Sequence, residues 1–309
     1  MKPQDSKEVS PRSSHMQEDP SDNESLESLL ARLEQLNTPQ KEESPLSQDK
    51  LKATITGLED DLAAGRWINA YYADTDLKLM PALVEQANRK YPNMNLKLAL
   101  TAEEFTHTLK ETIESGVKSS RFVVNTGSRI HFAAMDYRIV DDKISLIMFE
   151  PTTFNNIAAG RLGIKINQAL QDTQLPHCHF AMAEMDIQRS SSECGMFSLN
   201  LAKKLHLESD QLTRLHKDNV KGILCEPGTP LPAEKLDSYL PVSLYKHVQG
   251  RKRLEYYLKA NPEAAHEKVN KKGETLTERF EKNLMSAEGK TVSTSPHRKR
   301  IKEYKSLTI

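Results

Sequence analysis

The cysteine at position 194 stands where a thiol could act as a nucleophile. Polar residues run from Gln188 to Cys194, a glycine follows, and Phe197, Leu201 and Leu205 then recur every four residues. This spacing predicts a helix whose first turn contains the cysteine. Free backbone N–H groups and the positive end of the helix dipole favour a thiolate there. The adjacent glycine leaves room for a substrate carbonyl, which favours a catalytic role over that of a small buried side chain.

Two β-rich segments upstream could supply the base that such a thiol needs. Residues 129–140 and 144–150 flank a short acidic turn, which predicts a β-hairpin. If its loop is 141–142, Glu150 becomes the diagonal neighbour of His131 on the same face of the sheet. A three-residue loop would shift the register by one and separate the two side chains. An imidazole oriented by a carboxylate is suited to act as general base for a thiol.

The other histidines offer no comparable geometric argument. A lone strand histidine is more often structural than catalytic, so the case for His131 depends on its carboxylate. His177 and His179 bracket Cys178, but no second pair of ligands follows at zinc spacing, and we predict no metal site. Three histidines fall within helical patterns and have no obvious carboxylate partner: His107, His206 and His216.

Length and cysteine content limit the class of protein. The chain has 309 residues, enough for one large or two ordinary domains. Its three cysteines have no regular spacing, which indicates a reducing compartment and no disulfide framework. No apolar run approaches the roughly 20 residues that cross a bilayer, and no signal-peptide pattern is present. We therefore expect a soluble protein without a membrane span.

Charge is unevenly distributed, although 43 basic residues balance 43 acidic ones. Residues 1–50 are net acidic, whereas residues 245–305 are net basic. The basic clusters at 245–247, 251–253 and 297–300 suit a polyphosphate, although a solvated helical face would also account for them. No DNA-binding motif is recognisable and the rest of the chain is not basic, so we predict no nucleic-acid partner.

The N-terminal part differs in composition from the rest. Residues 1–45 are rich in Ser, Glu, Asp, Pro and Gln, which predicts disorder. Within them, the leucines from Leu26 to Leu36 form a narrow helical stripe that could dock a partner or fold back on the body. The following patterns predict helices over 51–62 and 77–90, a strand over 95–100 and a helix opened by a capping box at 101–104. Pro81 would be tolerated only near the first turn of its helix.

These motifs together resemble the YopJ family of bacterial type III secreted effectors. The resemblance covers residues 51–309 and includes His131 followed by Phe, Glu150 within Ile-Met-Phe-Glu-Pro, and Ser-Ser-Ser-Glu-Cys-Gly-Met-Phe around Cys194. It also includes Met80-Pro81, Asn88-Arg-Lys-Tyr-Pro92, Leu240-Pro-Val-Ser and Tyr245-Lys-His-Val-Gln-Gly250. The animal-pathogen branch of the family is the most similar.

The resemblance implies a fold, an activity and the residues that carry it. The implied fold is α+β, with a papain-like core of the ubiquitin-like-protein protease type and a helical regulatory region from the N- and C-terminal segments. The implied activity is acetylation of Ser, Thr and Lys on host proteins, with His131 as base, Glu150 as its orienting acid and Cys194 as nucleophile. By position, Gln188 corresponds to an oxyanion-hole donor and Lys246 to a lysine that family members acetylate on themselves.

Two small molecules are implied by the same resemblance. Acetyl-CoA is the expected acyl donor, and its acetyl group would pass through a Cys194 thioester. Inositol hexakisphosphate is the expected activator, which would account for the basic C-terminal region. By composition and analogy, six residues are candidate ligands for this anion: Arg89, Lys246, Arg251, Arg298, Lys299 and Lys302.

Partners and location also follow from the resemblance. The implied acceptors are MAP kinase kinases, in which acetylation of an activation-loop Ser or Thr would block phosphorylation and innate immune signalling. Type III secretion, with a possible chaperone, would deliver the protein to the host cytoplasm. We expect four parts: a disordered secretion segment (1–45), the N-terminal helices and start of the core (46–115), the catalytic core (116–225) and a basic regulatory region (226–309).

Two alternatives remain at this point. The same triad could hydrolyse peptide or isopeptide bonds as a cysteine protease of ubiquitin-like conjugates, because only the acyl donor and acceptor differ. A catalytically inert protein could instead inhibit kinases by binding them.

Overall fold

The computed structural model describes residues 47–127, 130–287 and 289–308. The predicted disorder of residues 1–45 and the leucine stripe at 26–36 lie outside the described residues. The helices are α1 Gln48–Ala63, α2 Ala73–Lys90, α3 Ala102–Glu114, α4 Ile157–Thr173, α5 Cys194–Leu207, α6 Thr213–Val220, α7 Ala233–Leu236, α8 Arg251–Ala260, α9 Leu276–Lys282 and α10 Ser295–Lys305. The strands are β1 Leu96–Ala99, β2 Ser119–Asn125, β3 Phe132–Val140, β4 Lys143–Glu150, β5 Cys178–Glu184, β6 Leu284–Ala287 and β7 Lys290–Ser293.

A mixed sheet with the strand order β1-β2-β3-β4-β5 forms the centre of the molecule. The outer pairs, β1 with β2 and β4 with β5, are parallel, and β3 is antiparallel to both of its neighbours. Because side chains alternate along a strand, each face has its own core. Ala134 and Ile147 pack with α5 on one face, whereas Met135 and Met148 pack with α3 and α4 on the other.

The hairpin between β3 and β4 has a two-residue loop, which is the form that the proposed His131–Glu150 contact requires. Val140 pairs with Lys143, and φ is 49° at Asp141 and 61° at Asp142. Positive φ at both central positions is the conformation of a type I′ turn, which Asp adopts more readily than most residues. The predicted register is therefore confirmed. The strand itself begins at Phe132, so His131 lies in the loop that enters it.

Helix α2 departs from the expectation at its start. It begins at Ala73, four residues before the predicted position, so Pro81 lies in its interior and the prediction of a first-turn proline is wrong. The missing N–H of Pro81 costs a helical hydrogen bond to Leu77. Complete burial of Met80 and Leu83 in the core offsets that loss.

The two ends of the described chain meet against α5. Helix α10 packs on α1 and α5, and α2 packs on α5. His297 Nε2 donates a hydrogen bond to the Leu58 carbonyl at 3.0 Å, and Gln86 Nε2 donates to the Ser306 carbonyl at 2.7 Å. Among the described residues, no helix combines the length and apolar character that crossing a bilayer requires.

Candidate active site

His131 and Glu150 form a buried pair at one end of the central sheet. The His131 Nε2 and Glu150 Oε2 atoms are 2.8 Å apart, and the two residues are 5% and 0% exposed. The second oxygen, Glu150 Oε1, accepts hydrogen bonds from the backbone N–H of Thr152 at 2.9 Å and from its hydroxyl at 2.7 Å. The carboxylate is thus held in one orientation. Thr152 carries no signal in the sequence that would single it out.

Asn125, the last residue of β2, fixes the backbone on either side of the histidine loop. Its Oδ1 atom accepts a hydrogen bond from His131 N at 3.1 Å and another from Thr126 N at 2.9 Å. Thr126 N also donates to the His131 carbonyl at 3.1 Å. We did not predict this role, although a single amide ending an apolar strand is the kind of residue that marks it.

Cys194 is the first residue of α5, and its side chain is near enough to His131 to contribute to the raised pKa of the imidazole. The residue is 3% exposed. Burial lowers the pKa of His131, but the Glu150 carboxylate and the Cys194 side chain outweigh burial and raise that pKa to about 10. The arrangement therefore favours an imidazolium beside the cysteine at neutral pH.

Gly195 has a packing role that the sequence did not reveal, and the expected room for a substrate carbonyl stays a prediction. A Cβ at this position would lie 3.2 Å from Met80 Cε and 3.3 Å from Asp76 Oδ2. The missing side chain therefore lets α2 approach the first turn of α5 closely.

Gln188 lies in the buried loop that leads to the cysteine. Its backbone N–H donates to the Pro151 carbonyl at 3.0 Å, which ties the loop to the residue after Glu150. The side-chain Nε2 donates to the Ser190 carbonyl at 2.7 Å. A primary amide nitrogen carries two hydrogens, so one of them is left for another acceptor.

Glu193 and Gln249 hold the rest of this loop. Gln249 Nε2 donates to Glu193 Oε2 at 2.6 Å, while Gln249 Oε1 accepts from the backbone N–H groups of Arg189 at 2.6 Å and Ser190 at 3.1 Å. Burial raises the pKa of Glu193, although the nearby Arg300 guanidinium counteracts it. Sequence reasoning missed both roles, because Glu193 and Gln249 are far apart in the chain.

Three of the six candidate anion ligands form a basic cluster with two residues that we did not nominate. Burial, followed by the charges of Arg279, Lys204, Lys299 and Lys302, lowers the pKa of Lys246 to about 8. The cluster therefore consists of Lys204, Lys246, Arg279, Lys299 and Lys302. The other three candidates make contacts of their own: Arg89 pairs with Glu85, Arg251 pairs with Glu281, and Arg298 donates to Thr294.

A second histidine–carboxylate pair lies beneath the sheet. His216 Nε2 is 2.9 Å from Asp136 Oδ2, and His216 Nδ1 is 2.8 Å from Ser145 Oγ. The expectation that His216 lacks a carboxylate partner is wrong, because the partner comes from a distant strand. All three side chains are completely buried, so this triad has no access to a substrate. In the described part of the chain, no three His, Cys, Asp or Glu side chains are grouped to hold a metal.

Known proteins resemble this chain over most of its length. A model of the YopJ Serine/Threonine acetyltransferase family matches residues 51–306. YopJ of Yersinia pestis is 52% identical over 265 residues, which cover 85% of this chain and 92% of YopJ. HopZ1a of Pseudomonas syringae pv. syringae is 25% identical over 246 residues, covering 71% of this chain and 66% of HopZ1a.

Solved structures agree with these relationships. A structure of AvrA with IP6 and CoA superposes with a TM-score of 0.82 at 49% identity, covering 85% of this chain and 98% of that one. A structure of HopZ1a with IP6 and CoA, at 20% identity and a TM-score of 0.65, shares the fold. The expected α+β, papain-like fold and the family resemblance are both confirmed. The chain belongs to the YopJ serine/threonine acetyltransferase family.

Proposed function

We propose that this protein transfers acetyl groups from acetyl-CoA, through a thioester on Cys194, to Ser, Thr or Lys residues of host signalling proteins. The observation that carries the proposal is the His131–Glu150 pair at 2.8 Å, next to a cysteine that begins a helix. The proposed roles are general base for His131, orienting acid for Glu150 and nucleophile for Cys194.

The first half-reaction acetylates the cysteine. His131 takes the thiol proton, and the Cys194 sulfur forms a bond to the carbonyl carbon of the acetyl thioester. Backbone N–H groups at the start of α5 and the spare amide hydrogen of Gln188 stabilise the oxyanion that develops. The carbon–sulfur bond to CoA then breaks, and the leaving thiolate takes the proton from His131.

The second half-reaction regenerates the thiol. His131 removes a proton from an acceptor hydroxyl or amine, whose oxygen or nitrogen attacks the acetyl-cysteine carbonyl. The same donors stabilise the second oxyanion. The bond to the Cys194 sulfur breaks, and His131 returns its proton to the sulfur.

We propose the basic cluster as the site of an activating polyphosphate, inositol hexakisphosphate. Structures of AvrA and HopZ1a contain IP6. Four cations surround Lys246, and within the described residues neither Lys246 nor Lys302 has a carboxylate partner. Arg89, Arg251 and Arg298 remain predicted ligands with weaker support, because none of them is among the charges that lower the pKa of Lys246. A pKa near 8 also leaves part of Lys246 uncharged at neutral pH, which suits an amine that is acetylated on itself.

Acceptors, delivery and domain roles follow from the family. We propose MAP kinase kinases as acceptors, with loss of phosphorylation and of innate immune signalling as the outcome. We also propose type III secretion, with a possible chaperone, and action in the host cytoplasm. Residues 1–45 would then serve secretion, 46–115 and 226–309 regulation, and 116–225 catalysis.

Labelled acetyl-CoA tests the proposal. Purified protein is incubated with it, with a MAP kinase kinase and with inositol hexakisphosphate, beside a Cys194→Ala control. We expect label on Cys194 and on the kinase, and none with the control. Cleavage of ubiquitin-like conjugates without acetyl transfer would instead support the protease alternative. Full inhibition of signalling by Cys194→Ala in cells would support the inert kinase-binding alternative.

A further inference from the structure

A buried ion pair joins the C-terminal helix to the second N-terminal helix. Arg300 in α10 donates from Nε to Asp76 Oδ1 and from Nη2 to Asp76 Oδ2, in both cases at 2.9 Å. The Tyr304 hydroxyl, one turn further along α10, donates to Asp76 Oδ1 at 2.6 Å. The Arg300 and Asp76 side chains are 0% and 1% exposed. The geometry is that of a bidentate pair with an additional hydrogen bond.

The same pair touches the chain on both sides of the cysteine. Arg300 Nη2 also donates to the Ser192 carbonyl at 2.7 Å, and Nη1 lies 3.6 Å from Glu193 Oε1. On the other side, the Asp76 carboxylate lies against Gly195, where a Cβ would meet it at 3.3 Å. Any displacement of α10 or α2 therefore moves the backbone next to Cys194.

Helix α10 has a second buried attachment to the helix that Cys194 begins. Lys203 Nζ in α5 lies 2.9 Å from Glu303 Oε2 in α10. Glu303 also pairs with Lys299, one of the five residues of the basic cluster. One face of α10 thus carries cations of the cluster, and an adjoining face carries Arg300 and Tyr304.

We infer that the Asp76–Arg300 pair is the positioning element through which the basic cluster sets the reactivity of Cys194. This inference rests on the proposed function. An anion that neutralises Lys299 and Lys302 fixes α10, and Arg300 then holds Ser192, Glu193 and the first turn of α5 in place. A shift of about 1 Å at a reacting group can cost about 100-fold in rate, so a small movement of α10 is sufficient to control the reaction.

The test compares Asp76→Asn with a matched control, Asp136→Asn. Asp136 pairs with Arg121 at 2.9 Å, and Arg121 in turn donates to the Leu205 carbonyl near the other end of α5. Both substitutions remove one buried carboxylate from an arginine that contacts the same helix. Only the first does so beside Cys194.

Three measurements are made on each protein. Calorimetry gives the dissociation constant of inositol hexakisphosphate. The kcat and KM for acetyl transfer, and the rate at which iodoacetamide alkylates Cys194, are measured with and without this anion. For Asp76→Asn we expect a dissociation constant within about threefold of wild type. We also expect a stimulated kcat at least about tenfold lower, with KM little changed. Alkylation should no longer respond to the anion. For Asp136→Asn we expect lower stability but the wild-type ratio of stimulated to unstimulated rates.

Arg300→Lys provides a second variant in case Asp76→Asn does not fold. The lysine keeps a buried cation for Asp76 but cannot also reach the Ser192 carbonyl. This variant should therefore bind inositol hexakisphosphate, but the anion should stimulate its acetyl transfer only weakly. The inference is overturned if the wild type responds and these two variants respond equally well, or if Asp136→Asn loses its response to the same extent. No response of the wild type would refute the assigned activator instead.

Discussion

Replacing Glu150 by Gln removes the charge that holds His131 as an imidazolium and leaves the shape of the side chain unchanged. The rise in the pKa of His131 from 6.5 to about 10 corresponds to about 5 kcal/mol at 1.36 kcal/mol per pH unit. Cys194 contributes part of this rise, and Gln can still accept a hydrogen bond. We therefore expect a loss of about 2–3 kcal/mol, or about 100-fold in the rate of acetylation of Cys194.

Titration of the His131 ring checks the reasoning directly. With 13C-labelled histidine, and with His131→Gln to assign the signal, the wild-type ring should titrate near pH 10 by NMR. In Glu150→Gln, burial becomes the main influence on the pKa of His131, and the titration midpoint of its ring should fall to about 6.5 or lower. Because the folded-state pKa lies above the ordinary 6.5, the pair stabilises the fold fully below pH 6.5 and loses this contribution as pH rises through about 10. The variant should accordingly be less stable than wild type at pH 6, and the difference should vanish at high pH.

Glu184→Gln is the matched control. Glu184 in β5 lies opposite Glu150 in the register of β4 and β5, and it accepts a hydrogen bond from Phe154 N at 2.9 Å. It should leave the His131 titration and the acetylation rate close to wild type. A His131 midpoint still near 10 in Glu150→Gln, or an unchanged rate, would refute the role of the carboxylate.

Three further substitutions or conditions test the site and its surroundings. Asn125→Ala should lower the free energy of unfolding by about 1–2 kcal/mol and slow acetyl transfer, because His131 N loses its acceptor. Asn125→Asp should restore both the stability and the rate. An unchanged rate in Asn125→Ala would contradict the role of Asn125 in positioning His131. Label on Lys246, normalised to label on Cys194 and measured by mass spectrometry, should rise with pH through about 8, and a midpoint near the ordinary 10.5 contradicts this. Asp136→Asn should cost about 3–5 kcal/mol in urea unfolding, because Arg121 loses its buried partner, and a loss below about 1 kcal/mol contradicts that account.

Local patterns were sufficient to predict the parts of the site that depend on nearby residues. The acidic turn predicts the hairpin, and the two-residue form of its loop, one of the two that the sequence allows, brings Glu150 to His131. Polar residues followed by a four-residue apolar repeat place Cys194 at the start of α5. Each of these features follows from backbone geometry within a few residues.

Contacts between distant segments could not be predicted in this way. The partners Asp76 and Arg300 are 224 residues apart, and Asp136 lies 80 residues from His216. The period of apolar residues indicates which face of a helix is buried, but it does not indicate which charged residue lies on the element that packs against that face. The start of α2 was missed for a related reason, since tertiary packing tolerates a proline that local propensity places at a helix boundary.

The hydrogen bond from Arg300 to the Ser192 carbonyl closes a loop of 108 residues. During synthesis on the ribosome, Cys194 emerges long before Arg300, so the growing chain exists for a time without this hydrogen bond. A chain that lacks α10 would thus contain His131, Glu150 and Cys194, but no hydrogen bond from Arg300 would hold the backbone next to the Cys194 thiol. Gain of activity after refolding should keep pace with docking of the last helix rather than with formation of the sheet.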